Sequence, residues 1–577
     1  MTNPARASRH PGLSAIRRDL AISARAFGSS FRNPDLARAQ VAFLAFSVTE
    51  WASYIALVVY AFAHGGTAAI GVVSLVILIP AAVIAPAGSL LGDRYRRERV
   101  YLLSETAMAL FCALTAAAML LQTRSLIVYA AACVAVWVLS LVRPIHGALL
   151  PWIARDPAEL TTAYTSAGLI ESICVLLGPL LAAALFAIGQ ALEVSGPGLV
   201  FVALAALLAV GAALLFRIRT DSAPEPDDTG RAIVGELAAG FRYVWADHRP
   251  RVIVTMLGLS SLVEGMLDTL IVVLAIELLG LGESGVGLLN AALGVGGIIG
   301  AAGAVVAGTR ERLFPAFRLG AFVYGAPLAV IGAVPALGPL LLGVSGIGGA
   351  QLDVTGRTML QRVIPDEKLT RSLGVLESAY MGAEGLGAAA AAVLIAWIGA
   401  GWAFAICGAL LPLAALALRT RLRAVDVGAR VPADDLELLR GTALFEPLPP
   451  SALERLARNS VPMEATAGQV VIREGDAGDR VYVIAEGETE VTASGRHVAR
   501  LGPGGYVGEI ALLRDVPRTA TVTAFTDVRF LCLERDVFLR TMTGHEPARA
   551  AAHSAADTRL EQLDGGADPD AETPRSG

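Results

Sequence analysis

Lysine is almost missing from this chain: of its 46 basic residues only Lys368 is a lysine, and the others are arginines. Cysteine and histidine are also sparse. The five cysteines, Cys112, Cys133, Cys174, Cys407 and Cys532, are scattered with no CxxC and no framework spacing, and four of them fall within apolar runs. That pattern excludes a disulfide scaffold and a thiolate metal site, and leaves the cysteines as small hydrophobes. The seven histidines form no metal-like pair, and neither a G-x-S-x-G nor a P-loop spacing occurs. No catalytic constellation, metal site or cofactor is therefore expected, and the chain does not read as an enzyme. Charged residues make up only 17%, with a net charge of -5 and the acids gathered in the C-terminal third, so charge is informative only segment by segment. No cleavable leader is expected, since residues 1–36 carry Arg6, Arg9, Arg17, Arg18, Arg25 and Arg32 with no short apolar run and small-residue cleavage site behind them. The first apolar run is expected to be a membrane span.

Apolar residues are what the chain has in excess. They make up 55% of it, with a mean hydropathy of +0.61, above the roughly 45–50% of ordinary soluble domains. Runs long enough to cross a bilayer occur near 38–63, 68–91, 100–121, 125–148, 160–187, 197–216, 252–278, 284–308, 317–336, 338–360, 370–398 and 401–420. This predicts a polytopic all-α membrane domain of about twelve helices. Alternate loops collect the arginines: the N-terminal arm, Arg94 to Arg99, Arg155, Arg217 to Arg251, Arg310 and Arg312, Arg362 and Arg371, and Arg419 to Arg423. The intervening loops, such as "HGGT" at 64–67 and "GLGES" at 280–284, hold almost none. Arginine-rich loops stay cytoplasmic, so both termini are expected inside a plasma (inner) membrane.

The longest loop, 217–251, splits the spans into two sets of six, 38–216 and 252–421. "LIES" at 169–172 and "VLES" at 375–378 fall at corresponding places in the halves, each after an acidic turn. An internal duplication accounts for this, as does chance identity in helices of low complexity. Two six-span halves with the basic stretch "GSLLGDRYRRERV" at 88–100 after span two resemble the major facilitator superfamily. Asp93, Arg94, Arg96 and Arg97 match that family's motif at this place, whereas its later glycine is missing. The resemblance implies a transporter whose halves rock, with these residues as a latch at the end of span two; anchoring of the loop is an equally compatible role for the arginines. "CVLLGPLLAAAL" at 174–185 is similar to a degraded Gly-Pro motif of proton-coupled drug exporters, keeping Gly178 and Pro179.

Ionisable groups in hydrocarbon cost roughly 2.5–3.5 kcal/mol each on insertion scales, so those that persist face a cavity or a partner. Glu50 lies near the middle of span one. Glu264 and Asp268 are one turn apart in span seven and share a helical face. Such a like-charge pair favours sharing a proton, the behaviour a coupling site needs. Glu50, Glu264 and Asp268 are the candidate transport and coupling residues, the rival role for each being a hydrogen bond to a neighbouring helix. Asp353 and Arg357, spaced i, i+4 in span ten, read as a structural pair; Glu171, Glu377 and Glu384 receive no role.

Beyond a linker at 422–435 the chain changes character. Two short helices are expected, then strands near 468–473, 480–485, 488–493 and 497–501, two more within 520–534, and a helix, which together make an α+β domain with a β-roll or jelly-roll core over 436–550. In "GEIALLRDVPRTATV" at 508–522 a glycine permits close backbone approach, a short helix from Glu509 presents N–H groups to an anion, and Arg518 supplies a planar fork suited to phosphate. The Glu509 carboxylate can accept from a vicinal sugar hydroxyl, and phosphate plus ribose is a nucleotide. The stretch closely resembles the phosphate-binding cassette of cyclic-nucleotide-binding domains. The resemblance implies that Gly508, Glu509, Ile510 and Ala511 meet ribose and phosphate, Arg518 the cyclic phosphate, and Thr519 the phosphate or a guanine edge. The regulatory ligand is then cAMP or cGMP, between which Thr519 does not choose. Residues 551–577 read as the end of a lid helix and a disordered acidic tail that would repel DNA, so no nucleic-acid partner is expected.

Together these features predict a secondary active transporter in the lipid bilayer, coupled to protons and exporting a small molecule, gated by a cyclic nucleotide bound in its cytoplasmic domain. Two alternatives stay open: a non-transporting nucleotide-responsive sensor or scaffold, and a lipid or lysolipid flippase.

Overall fold

The "HGGT" turn sets the register of the membrane helices. In the computed structural model, helix runs from Pro34 to Ile84 with one break, at Gly65 and Gly66, where Gly66 has φ 63° and ψ -158°. Only glycine adopts that backbone cheaply, and it separates α1 (34–64) from α2 (67–84). The structure describes residues 33–84, 95–155, 157–218, 220, 240–308, 313–364, 366–428, 433–544 and 546–564. They form two compact units that divide between Asp426 and Val427.

The membrane unit continues with α3 (Arg97–Leu120), α4 (Ser125–Ile153), α5 (Pro157–Leu192) and α6 (Gly196–Leu215), then α7 (His248–Val273), α8 (Gly282–Gly308), α9 (Phe314–Ile331), α10 (Gly338–Val363), α11 (Asp366–Ile398) and α12 (Ala400–Ala417). A π turn, Leu274–Leu278, extends α7. Eleven helices among the described residues are long and apolar enough to span a membrane, and the first of these is two spans joined at the glycine break. The expected twelve spans are thus present, several of them longer than the apolar runs that announce them. Helix α1 packs against α4, α5 and α6 in the first half, while α9 packs on α10 and α12, and α7 on α11, in the second. The halves meet along α2 with α11 and α5 with α8.

Small residues make these crossings close, because lipid supplies no hydrophobic drive for helix association and backbone proximity has to replace it. A Cβ on Gly178 would sit 2.6 Å from Cβ of Trp51, so the Gly-Pro motif lays α5 directly against α1. A Cβ on Gly265 would run into the carbonyl oxygen of Glu384, so α7 and α11 are in backbone contact there.

The second unit is built from α14 (Ala433–Gly441), α15 (Pro450–Asn459), eight strands, the short α16 (Glu509–Arg514), α17 (Arg535–Thr543) and α18 (Glu546–Asp564); α13 (Arg419–Gly428) leads into it. The strands are β1 (Val461–Ala465), β2 (Val470–Ile472), β3 (Arg480–Glu486), β4 (Thr489–Ala493), β5 (Arg496–Leu501), β6 (Tyr506–Val507), β7 (Thr521–Ala524) and β8 (Val528–Glu534). They pair antiparallel in two four-stranded sheets, ordered β1-β8-β3-β6 and β2-β7-β4-β5. Strands β1 and β6 have no counterpart in the expected set: "VPMEA" and the two-residue "YV" lack a run of alternating apolar residues. Along β3, Val481 and Val483 join the helices while Tyr482 and Ile484 point into the roll, and β8 repeats this with Leu531 and Leu533 against Phe530 and Cys532. Period-two alternation thus buries both faces of these strands. The helix α18 crosses the expected boundary at 550, and the expected acidic tail lies outside the described residues beyond 564.

Gly265→Val is expected to cost about 1–3 kcal/mol by forcing α7 from α11. In the same helix Gly258, where an added Cβ meets nothing within 4 Å, should accept alanine without loss. Thermal unfolding of the two variants in detergent measures the difference.

Candidate functional site

Three groups of polar side chains gather where the halves face each other. In the first half, Arg143 of α4 donates to Glu50 of α1 at 2.7 Å and lies 2.9 Å from Glu171 of α5. In the second half, Arg357 of α10 donates to Asp353 at 3.0 Å and to Glu377 of α11 at 2.7 Å, and Tyr380 donates to Asp353 at 2.7 Å. The two arrangements correspond: the acids of "LIES" and "VLES" each hold an arginine from the preceding helix. Between them the Tyr54 hydroxyl of α1 donates to Asp268 of α7 at 3.0 Å and stands 3.2 Å from Oγ of Ser74. That hydrogen bond joins the halves. The close approach at Gly265 sets Glu384 beside Glu264 and Asp268, which Glu384 and Tyr324 feel electrostatically.

The structure therefore redistributes the residues that sequence reasoning selects. Glu50 is not grouped with Glu264 and Asp268 by direct contact; it belongs to the Arg143 bridge. Asp353 and Arg357 do pair, within a larger network that ties α10 to α11. Glu264 and Glu384 make neither a hydrogen bond nor an ion pair among the described residues. Arg143 escapes notice in sequence, although an arginine inside an apolar run is a signal of a charge that faces a partner or a cavity. Of the expected latch, Asp93 and Arg94 lie outside the described residues. Arg96 bonds Glu98 at 2.7 Å and the carbonyl of Thr220 in the loop between the halves, and Arg97 stacks over Trp152 of α4.

In the second unit a cavity of about 210 Å³ is lined by Val507 to Ala511, Arg518 and Thr519, with Ile472, Val491, Leu501 and Val522 as its apolar wall. Gly508 opens α16 with φ 89°, and a Cβ there would collide with the Arg518 guanidinium. Arg518 is buried, held by the carbonyls of Gly508 and Arg480, each at 2.8 Å, and by Asp479 at 3.2 Å. All six expected pocket residues thus line one space. Arg559 of α18 adds a seventh, which the cassette sequence, fifty residues away, does not reveal. It donates to Glu509 at 2.6 Å and to the Tyr506 carbonyl at 2.8 Å, and stacks on the Tyr506 ring at 3.9 Å. Burial pushes the Glu509 carboxyl above the usual glutamate range, and the Arg559 charge opposes that rise. Glu509 is the buried acceptor and Arg518 the buried donor of a cavity sized for a small polar ligand.

The family model of the Major Facilitator Superfamily matches residues 41–343, just over half of the chain. The chain belongs to the Major Facilitator Superfamily. A second model, for the cyclic nucleotide-binding domain, matches residues 462–545, so this superfamily member is a multi-pass membrane protein fused to such a domain; neither matched domain is a catalytic one. Two curated proteins are similar over a short stretch. A cGMP-dependent protein kinase of Caenorhabditis briggsae is 47% identical over 76 residues, 13% of this chain and 10% of the kinase. A cAMP-dependent protein kinase regulatory subunit of Yarrowia lipolytica is 49% identical over 77 residues, 13% of this chain and 20% of that protein. This superfamily member thus spans only a small part of the curated relatives it matches. Among solved structures, a cyclic nucleotide-binding-like protein from Brucella abortus is similar at 28% identity, covering 19% of this chain and 98% of that one with a TM-score of 0.18.

Gly508→Ala should strain the backbone and displace Arg518, destabilising the nucleotide-binding domain by about 1–3 kcal/mol. Chemical denaturation of the full-length protein, followed through the unfolding step of this domain, tests it.

Proposed function

We propose that the protein is a proton-coupled secondary exporter of a small molecule, located in the plasma membrane with both termini inside, and gated by cAMP or cGMP in its cytoplasmic domain. It is not an enzyme on this reading. The observation that carries the proposal is the hydrogen bond from Tyr54 to Asp268 between the halves, set among the acids Glu264 and Glu384. A carboxyl that bonds the opposite half in one state and is released in another changes its proton affinity as the halves rock, which is what coupling requires. The Arg143 and Arg357 bridges hold each half rigid around this site, so that motion concentrates between the halves. Alternate loops bearing the arginines support the orientation.

In the second unit, Arg518 would take the cyclic phosphate, with the N–H groups of Gly508 to Ala511 around it, and Glu509 the ribose hydroxyl. Thr519 would meet the phosphate or the base. Ligand entry must then compete with Arg559 for Glu509, which would free α18 from the roll. That release is a means of passing occupancy through α13 to the transporter, and a coupling of about 1–3 kcal/mol changes flux severalfold or more.

Arg518→Ala is expected to weaken cyclic-nucleotide binding by at least about 100-fold, since it removes two or more charge-assisted hydrogen bonds, while basal flux persists without its nucleotide response. Calorimetry on the full-length protein, paired with flux in sealed vesicles, decides this; unchanged affinity would refute the pocket assignment. Glu264→Gln and Asp268→Asn should abolish flux driven by a pH gradient and leave nucleotide binding intact. Persistence of pH-driven flux in the double variant would sink the coupling role.

A further inference from the structure

At the end of the membrane unit where the arginine-bearing loops gather, the first turn of α9 and the start of α13 frame a cavity of about 410 Å³. It is lined by Phe314, Pro315, Arg318, Arg419, Thr420 and Arg423. Three guanidinium groups from two helices thus share one space. Among the described residues none of the three makes an ion pair; Arg318 has the Phe314 ring beneath it, 5.7 Å from the centroid. The bias of arginine towards these loops accounts for their presence. It does not account for their convergence, which is unfavourable by mutual repulsion until an anion enters. The cavity sits at the N-terminus of α9, whose helix dipole adds to the positive potential.

Exposed leucines lie close in the chain to the residues that line the cavity. Leu416 lies one turn and Leu413 two turns before Thr420 along the chain towards the bilayer centre, and Leu319 follows Arg318; their exposures are 45%, 61% and 55%. A free phosphate would use only the arginines. A ligand with a charged head and hydrocarbon tails would use both surfaces, since basic recesses between helix ends suit anionic headgroups. We infer that this cavity binds the phosphodiester headgroup of an anionic membrane lipid, with the acyl chains lying over Leu319, Leu413 and Leu416. Thr420 supplies a hydroxyl donor to a phosphate oxygen. A lipid held there clamps the base of α13, the helix that leads from the membrane unit to the second unit.

The test is native mass spectrometry of the full-length protein released from detergent and titrated with phosphatidylglycerol, phosphatidylcholine or inorganic phosphate. Phosphatidylglycerol should be retained in preference to phosphatidylcholine, and the R318Q/R419Q/R423Q variant should lose roughly a hundredfold in affinity for it. The R318K/R419K/R423K variant keeps the charges and should keep most of the lipid. Equal retention by the unmodified protein and the glutamine variant would overturn the site. Binding of inorganic phosphate with no lipid retained would overturn the lipid assignment and place the anion in solution. If the glutamine variant does not fold, competition between the two lipids on the unmodified protein still decides: equal retention rejects the inference.

Discussion

Arg143 and Arg357 cannot lose their charge, and they sit within helices whose neighbours are apolar, so each must bring anions with it. Each is met by two carboxylates, one of them from the following helix. A charge bridge of this kind favours one rotation of its helices about their axes, because other rotations would part the arginine from its carboxylates. The remaining packing follows: with α4 locked to α5 and to α1, and α10 to α11, the small residues on the other faces settle where backbones touch.

Between the halves the bonds are fewer and of a different kind. Tyr54 reaches Asp268, and Glu264 and Glu384 stand nearby with no ion pair among the described residues. Neutral donors and unpaired acids suit an interface that has to open, since breaking them leaves no arginine stranded. The arginine-centred ion pairs thus lie within each half, at Arg143 and Arg357, while the bond from Tyr54 to Asp268 crosses between them.

The nucleotide-binding domain solves its own problem with a single glycine. Gly508 leaves room for the buried Arg518 guanidinium against the backbone that begins α16, and two carbonyls and Asp479 hold that guanidinium ready. Its scaffold is stiff because β3 and β8 are buried on both faces, one set of side chains filling the roll and the other seating the helices. Helix α18 reaches the pocket through Arg559 and is seated on α16 and α17 by the buried Ala548 and Ala552.

Much of this was legible in the amino-acid order alone. Hydropathy specified the twelve spans, because crossing hydrocarbon demands about twenty apolar residues whatever the tertiary fold. Local chemistry specified the pocket, because Gly508, Glu509 and Arg518 lie within eleven consecutive residues and one short segment brings them together. The missing strands β1 and β6 were illegible, since their pairing comes from neighbours and not from a pattern of their own. The membrane site was only half legible: the acids could be found by their depth, but not their partners. Whether Glu50 met Asp268 or Arg143, and whether Glu171 and Glu377 had any role, depended on how helices turn against one another, and that was decided by close contacts at residues such as Gly178 and Gly265. Arg559 likewise reached Glu509 across fifty residues. Sequence determines which groups must be buried or exposed; only the folded chain determines which of them meet, because ion pairs and backbone contacts act over a few ångströms between segments far apart in the chain.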